Sequence, residues 1–173
     1  KSTITKLRQE FLQKNGKSVV LTIEPGGNGI KFAEEIREII MSNGDIDLKT
    51  ELLLFEASRS EHIDKLIAPA TKDGKIVICD RYMDSSTVYQ GIVQGLGEEY
   101  VTKMNEITVG DYVPSITFLL DVSPEVGLER IRSNSREENR FDEKDIEFHQ
   151  GVREAYLKIA QDNPRFVKID ASK

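Results

Sequence analysis

Four short apolar segments stand out along the chain, at 18–23, 75–80, 115–122 and 165–170. Each is nearly continuous rather than alternating, as is typical of strands covered on both faces in a parallel sheet. Between them, apolar residues recur at helical spacing, which predicts helices at 2–14, 32–42, 48–72, 85–94, 97–110, 123–134 and 142–162. Strands alternating with helices predict a single α/β domain over residues 1–173, with a parallel sheet between flanking helices in three layers.

The local sequence indicates where several of these helices begin or end. Ser123 and Pro124 form an N-cap and a first-turn proline, which predicts a helix start. Pro69 is expected to fray or kink the end of the helix over 48–72. A helix that opens at Ser2 in an α/β fold normally follows a strand, so we expect a further strand ahead of it.

Composition and charge limit the classes of partner. The chain is 38% hydrophobic and 31% charged, and its net charge of −6 argues against broad electrostatic binding to nucleic acid or to an anionic membrane. We therefore expect neither as a partner. The single cysteine, Cys79, excludes a disulfide framework within the chain, and no signal peptide or apolar stretch of spanning length occurs. These features predict a cytoplasmic protein.

Polar residues follow the second apolar segment in the sequence CDRYMDSSTVYQG, residues 79–91. Open α/β sheets bind ligands at the carboxyl ends of their strands, so chemistry is expected here. Asp80 could reach a metal ion or its waters, and the Arg81 guanidinium could hold a phosphate through two hydrogen bonds. Ser86 and Gln90 are four residues apart on the next helix, with Tyr89 alongside. The alternative is a strand-end ion pair followed by a capped helix.

The N-terminal sequence Lys1-Ser2-Thr3 matches the end of a glycine-rich phosphate-binding loop, G-x-x-x-x-G-K-[ST]. In that loop the lysine reaches phosphate oxygens and the hydroxyl holds Mg²⁺. A helix cap explains the same three residues. The sequence LLLFEASRSEH, residues 52–62, places Phe55 and Arg59 on one helix face, where they could stack on a base and bond its edge. The alternative is a core Phe55 with a surface Arg59.

Two further segments have both a functional and a structural interpretation. The sequence IEPGG, residues 23–27, gives a strand end, a carboxylate at Glu24 and a turn, which a plain strand-to-helix turn explains equally well. The charge-dense segment 130–145 carries arginines at four-residue spacing, which predicts a mobile lid at about 132–145 that closes over phosphates. A solvated connector is the alternative. The lid arginines are Arg132, Arg136 and Arg140.

Taken together, these motifs resemble the thymidylate kinases, P-loop enzymes that phosphorylate dTMP. The resemblance runs in order through KST, EPGG, EEIREII, LLLFEASRSEH, CDRYMDSSTVYQG, SITFLLDVSPEVGLER, NRFD and IDAS, and so covers essentially the whole chain. It implies a P-loop kinase fold, ATP as phosphoryl donor, Mg²⁺ as cofactor, dTMP as acceptor and a homodimer. It also implies that a first strand with its glycines and a last helix lie outside residues 1–173.

The resemblance implies roles for individual residues. Positive charge around the transferred phosphoryl group would come from Lys1, Arg81, Arg136 and Arg140. The nucleotide donor would contact Lys1, Ser2, Thr3 and Arg132, and the metal ion would contact Ser2 and Asp80. The acceptor nucleotide would contact Glu24, Arg37, Phe55, Arg59, Arg81, Ser86, Tyr89 and Gln90. Among these, Tyr89 would crowd the ribose 2′ position.

The chain also departs from the family pattern. Ile23 stands where the family has an arginine before the Glu-Pro-Gly-Gly sequence, and the stretch from Gly27 to Arg37 is about two residues longer than usual. Two other functions remain open at this point. One is a different nucleoside or nucleotide kinase of the P-loop class, and the other is a nucleotide-binding or scaffold protein without catalysis.

Overall fold

The computed structural model describes residues 2–42, 45–133 and 140–172, apart from the side chain of Ser2. Parallel strands alternate with helices, as expected for an α/β fold. The strands are β1 (Val19–Ile23), β2 (Ile76–Asp80), β3 (Thr117–Asp121) and β4 (Phe166–Asp170). The α-helices are α1 (Ser2–Lys14), α2 (Lys31–Ser42), α3 (Leu48–His62), α4 (Ala68–Lys72), α5 (Met83–Ser86), α6 (Glu98–Val109), α7 (Pro124–Ser133) and α8 (Ile146–Ala160).

The four strands form two hydrogen-bonded pairs rather than one continuous sheet. β1 pairs with β2 in parallel, so that Ile23 lies beside Asp80, and β3 pairs with β4 in the same way. No ladder bonds join the two pairs within the ranges just given. Helix α1 packs on β1 and β2, and its Arg8 guanidinium lies 5.5 Å from the Phe118 ring on β3. This separation fits the expectation of a further strand, which stays a prediction.

Two predicted helices contain π-helical turns. Residues Ile63–Ile67 form a π-helical segment between α3 and α4, and it ends two residues before Pro69. Because proline lacks the N–H that an α-helix needs, the predicted kink takes the form of a wider turn that precedes it. Residues Thr87–Val93 form the second π-helical segment, which continues α5 and carries part of the CDRYMDSSTVYQG sequence. Such turns are often found at functional sites.

The last helix begins later than predicted. Asp145 caps α8 by accepting a hydrogen bond from the Phe148 N–H at 2.8 Å, so the helix starts at Ile146 rather than at 142. Val152 and Ala155 on α8 pack with Val88 in a buried apolar cluster. In the described part of the chain, no helix has the length and apolar character needed to span a bilayer.

The turn after β1 brings backbone and side chain into close contact. Gly27 has a φ of +72°, and a Cβ atom there would lie 2.8 Å from His62 Cδ2 and 2.9 Å from Ile30 Cδ1. A side chain at this position would therefore be strained and would also push against a buried histidine. Glycine is what lets the turn close over α3.

We expect Gly27→Ala to lower the free energy of unfolding by about 2–4 kcal/mol, because left-handed strain and overpacking add. Gly16→Ala is the matched control, since Gly16 has a φ of +74° and a Cβ atom added there would have no neighbouring atom within 4 Å. It should cost only the left-handed strain, about 1–2 kcal/mol. Urea unfolding followed by circular dichroism measures both. Equal losses in the two variants would contradict the close contact.

Candidate active site

A buried ion pair joins the end of β1 to α3. Glu24 directly follows β1 and is only 4% exposed, and its Oε2 atom accepts a hydrogen bond from Arg59 Nε at 2.9 Å. The strand pairing continues one residue further, because the Glu24 N–H donates to the Asp80 carbonyl oxygen at 3.1 Å. Glu24 and Asp80 therefore stand side by side at the carboxyl ends of their strands, the expected position of a ligand site in this class of sheet.

The Arg59 guanidinium is bound from four segments of the chain. Besides Glu24, its Nη1 atom donates to Glu56 Oε1 at 2.5 Å and to Asn105 Oδ1 at 2.9 Å, and its Nη2 atom donates to Ser86 Oγ at 2.9 Å. Since a guanidinium has five N–H groups, these contacts leave one Nη2 hydrogen without an acceptor among the residues that the structure describes.

Arg59 is only 2% exposed, so the alternative of a surface arginine is wrong. Burial alone would lower its pKa, but the charges of Glu24 and Glu56 more than offset burial and raise the pKa above its usual value. The guanidinium is therefore permanently charged inside the fold. Its position is fixed by partners that would otherwise be left as unpaired buried charges.

His62 completes the binding of Glu24. Its Nδ1 atom lies 3.0 Å from Glu24 Oε1, and its Nε2 atom lies 2.8 Å from the Thr22 hydroxyl. His62 is fully buried. With Arg59 on one carboxylate oxygen and His62 on the other, Glu24 is held in a single orientation.

A second polar contact lies further along the same face of α3. Glu51 is 2% exposed, and its Oε1 atom accepts hydrogen bonds from Gln90 Nε2 at 2.6 Å and from Gln94 Nε2 at 3.1 Å. Its Oε2 atom pairs with the Arg140 guanidinium. Phe55, which is half-buried, lies between Glu51 and Arg59 in sequence, four residues from each. We call the region between the Arg59–Ser86 and Glu51–Gln90 contacts, which includes Phe55, the α3 slot.

Aromatic rings surround Tyr89, which precedes Gln90 in the second π-helical segment. Tyr89 contacts Phe141, Phe148 and Tyr156, with ring centroids 5.7, 6.1 and 6.5 Å away. Burial raises the pKa of Tyr156 to about 12, and its hydroxyl lies 2.8 Å from Ser85 Oγ. The guanidinium of Arg81, at the tip of β2, lies 5.2 Å from the Tyr89 ring. Arg81 is exposed and has a φ of +69°, a conformation uncommon for a residue with a side chain.

Arg37 lies against the turn that follows Glu24. Its Nη1 atom donates to the Pro25 carbonyl oxygen at 2.9 Å, and its Cδ atom would be 3.1 Å from a Cβ added at Gly26. The longer stretch between Gly27 and Arg37 therefore still returns this arginine to the turn at the strand tip.

The structure brings most of the predicted acceptor-site residues together, but it does not describe all of the predicted phosphate-site residues. Lys1 and Arg136 lie outside the described residues, as does the side chain of Ser2. Thr3 and Arg132 are exposed, at the start of α1 and near the end of α7. In the parts of the chain that are described, no group of three or more His, Cys, Asp or Glu side chains could hold a metal ion.

Sequence reasoning misses several residues of this site. The motifs neither single out Glu51 nor assign any chemistry to His62, although Glu51, Phe55, Arg59 and His62 recur at helical spacing on one face of α3. That periodicity is the signal that could identify both. Asn105 and Phe141 give no such signal, because their partners are distant in sequence.

We expect Arg59→Lys to lower the free energy of unfolding by about 3–5 kcal/mol, because one ammonium cannot replace contacts to four segments and two buried carboxylates lose a partner. Arg153→Lys is the matched control. Arg153 binds both oxygens of Asp121, at 2.7 and 3.3 Å, and its side chain is 36% exposed. Arg153→Lys should therefore lower the free energy of unfolding by less than about 1 kcal/mol. Urea unfolding measures both, and similar losses would argue against a special role for the buried network.

Comparison with known proteins agrees with this geometry. The family model described as Thymidylate kinase matches residues 1–173. A thymidylate kinase of Geobacillus sp. is 47% identical over 98% of this chain and 81% of its own length. A thymidylate kinase of Clostridium novyi is 43% identical over 99% of this chain and 85% of its own length. The crystal structure of a thymidylate kinase from Ehrlichia chaffeensis superposes with a TM-score of 0.78 at 35% identity, over 98% of this chain and 85% of that one.

These similarities extend over nearly the whole chain. They confirm the predicted fold class and the predicted family. The chain belongs to the thymidylate kinase family.

Proposed function

We propose that the chain transfers the γ-phosphoryl group of ATP to dTMP and so forms dTDP for DNA synthesis, with the thymine base in the α3 slot. The observation that supports this assignment is the state of Arg59, which is held rigidly by protein groups yet has one Nη2 hydrogen left. A fixed donor beside a half-buried phenyl ring suits a planar base with a carbonyl on its edge.

The acceptor base and sugar would be held as follows. Phe55 would stack on thymine, and Arg59 would donate to its O4 atom. Gln90 and Ser86 would complete the contacts to base and sugar, while the Tyr89 ring would occupy the space that a ribose 2′-hydroxyl needs. The rings around Tyr89 support that last role, because they limit how far Tyr89 can move aside.

The phosphates would be held by arginines near the strand tips. Arg37 and Arg81 would bind the dTMP phosphate, with Glu24 beside the sugar. Phosphoryl transfer asks a protein mainly for positioning and for positive charge around the transferred group, since an oxygen of the dTMP phosphate attacks the γ-phosphorus directly. Lys1 and Arg136 would supply such charge, with Lys1, Ser2, Thr3 and Arg132 on ATP. Arg140 would supply positive charge to the transferred group only after it leaves Glu51 and binds phosphate oxygens instead.

Mg²⁺ fits the donor set at the tip of β2. Asp80 supplies a half-buried carboxylate at a strand end, and Mg²⁺ is usually held by one or two carboxylates together with substrate phosphates and water rather than by a full protein cage. Asp80 and the Ser2 hydroxyl would hold the ion, which would neutralise phosphate charge during transfer. The absence of a larger ligand cluster among the described residues is compatible with this mode of binding.

A homodimer in the cytoplasm is part of the proposal. Apolar side chains are exposed on α3 and α6, which pack together: Leu53 is 47% exposed and Ile107 is 78% exposed. A surface of this kind would suit an isologous contact between two copies. The cytoplasmic location rests on the composition, in which the single cysteine suits a reducing compartment.

We expect dTMP to be the preferred acceptor when the chain is assayed with ATP and Mg²⁺ against a panel of dTMP, AMP, GMP and UMP. The reason is that the α3 slot offers a stacking ring and a fixed donor that suit a pyrimidine. In addition, Tyr89 would occupy the space that the 2′-hydroxyl of a ribose needs. A coupled assay of ADP release gives kcat/KM for each acceptor. Equal or better use of AMP, GMP or UMP would refute the proposed acceptor and favour another nucleotide kinase activity.

We expect Arg81→Ala to lower kcat/KM for dTMP by about 100-fold or more, because a charge-assisted phosphate contact is lost. Arg81→Lys should recover little of this, since a point charge cannot bind two phosphate oxygens in the geometry of a guanidinium. Lys75→Ala, which removes a cation beside the opposite end of β2, is the control and should leave kcat/KM unchanged. Near-normal turnover in Arg81→Ala would exclude the phosphate-binding role.

A further inference from the structure

Glu51 is a buried carboxylate that none of the proposed roles uses. It lies on α3, eight residues before Arg59, and is 2% exposed. A buried carboxylate costs free energy unless it is paired, and Glu51 is paired on both oxygens: Arg140 binds Oε2, and the amides of Gln90 and Gln94 bind Oε1. Three donors from two distant segments therefore converge on one side chain.

The contact with Gln90 fixes which end of its amide faces the slot. An ionised carboxylate can only accept hydrogen bonds, and a guanidinium can only donate. Because Arg140 holds Glu51 as a carboxylate, Gln90 can approach it only with its Nε2 group, as the 2.6 Å contact shows. The Gln90 carbonyl oxygen then necessarily lies on the side away from Glu51. Amide orientation is set here by the chemistry of the partner rather than by the shape of the side chain.

The two bracketing contacts of the α3 slot thus offer opposite hydrogen-bonding groups. Arg59 retains a donor in its remaining Nη2 hydrogen, and Gln90 retains an acceptor in its carbonyl oxygen. Thymine presents the complementary pair on adjacent atoms, with O4 as an acceptor and N3–H as a donor. Cytosine presents the reverse, with a 4-amino donor and an N3 acceptor. A fixed donor–acceptor pair can therefore distinguish the two pyrimidines.

We propose that Glu51 is a specificity-determining positioning residue, which selects thymine over cytosine by holding the Gln90 amide with its carbonyl oxygen toward the base. This inference rests on the proposed function, since it requires the acceptor base to lie in the α3 slot. Glu51 itself does not touch the substrate. Arg140 takes part by keeping Glu51 an acceptor only until it exchanges Glu51 for phosphate oxygens, so the Gln90 amide is oriented before ATP binds.

Glu51→Gln tests the proposal with almost no change in shape. Arg140 keeps the remaining side-chain oxygen at position 51, so the new amide NH₂ faces Gln90, whose carbonyl turns to meet it. Gln90 then offers a donor to the base, which opposes N3–H of thymine and suits N3 of cytosine. We expect the ratio of kcat/KM for dTMP to that for dCMP to fall by about 10- to 100-fold.

Two variants of the same chain separate specificity from stability. Glu51→Asp keeps an acceptor-only group and should hold the dTMP to dCMP ratio within about three-fold of wild type, even if the fold is weakened. Glu99→Gln makes the same chemical change at an exposed pair with Lys103 and should alter neither substrate. If Glu51→Gln does not fold, Glu51→Gln combined with Arg140→Gln leaves no unpaired buried charge. The ratio should still fall, by up to about 10-fold, because the amide at position 51 can then face Gln90 with either end.

The decisive measurements are kcat/KM and the dissociation constants of dTMP and dCMP for the full chain, the latter by calorimetry without ATP. A purely structural Glu51 would reduce both substrates equally, and that result would overturn the inference. So would a wild-type ratio in Glu51→Gln, or an equal fall in Glu51→Asp. A wild-type chain with no preference for dTMP over dCMP would instead overturn the proposed acceptor, and this inference with it.

Discussion

The structure of the site depends on one buried guanidinium. Arg59 binds the carboxylate that follows β1, a carboxylate on its own helix, and side chains at the end of α5 and on α6. Each partner is itself buried, so moving any one of the four segments would leave a desolvated charge or polar group without its bond. The side chain that joins these four segments is thus also the one that carries the donor assigned to the base, and its position is set without a ligand.

The charges of this network also explain where phosphate can bind. Two carboxylates, Glu24 and Glu56, surround Arg59, and the Glu56 Oε2 atom is buried without a partner among the described residues. A region with more buried carboxylates than cations repels a phosphate but accepts a neutral base edge. The arginines assigned to phosphate lie at the edge of the network, with Arg81 exposed at the tip of β2 and Arg37 half-buried beside the turn. Base and phosphate are thus assigned to two regions of different charge.

Local sequence patterns predict the elements of the fold well and the contacts of the site only in part. All four strands lie within the predicted apolar segments, because a nearly continuous apolar run is a clear strand signal. The expected coverage of both faces is not seen in β4, where four of the five residues are exposed. The periodicity of α3 contains Glu51 and His62 as well, but nothing local indicates that a polar residue on a helix is buried. The Arg59–Asn105 and Glu51–Arg140 contacts span 46 and 89 residues, and only the packing of the helices determines them.

The spacing of residues along α3 shows why one helix can serve both ends of the slot. At about 1.5 Å per residue, Glu51 and Arg59 are about 12 Å apart along the axis, with Phe55 midway. Opposite them, Ser86 ends α5 and Gln90 lies in the π-helical segment, whose wider turn displaces the residues that follow. The two segments thereby contact each other through Arg59 with Ser86 and through Glu51 with Gln90. A uniform α-helix would change the spacing of these facing residues, so the irregular helix is part of what lets one face of α3 serve both contacts.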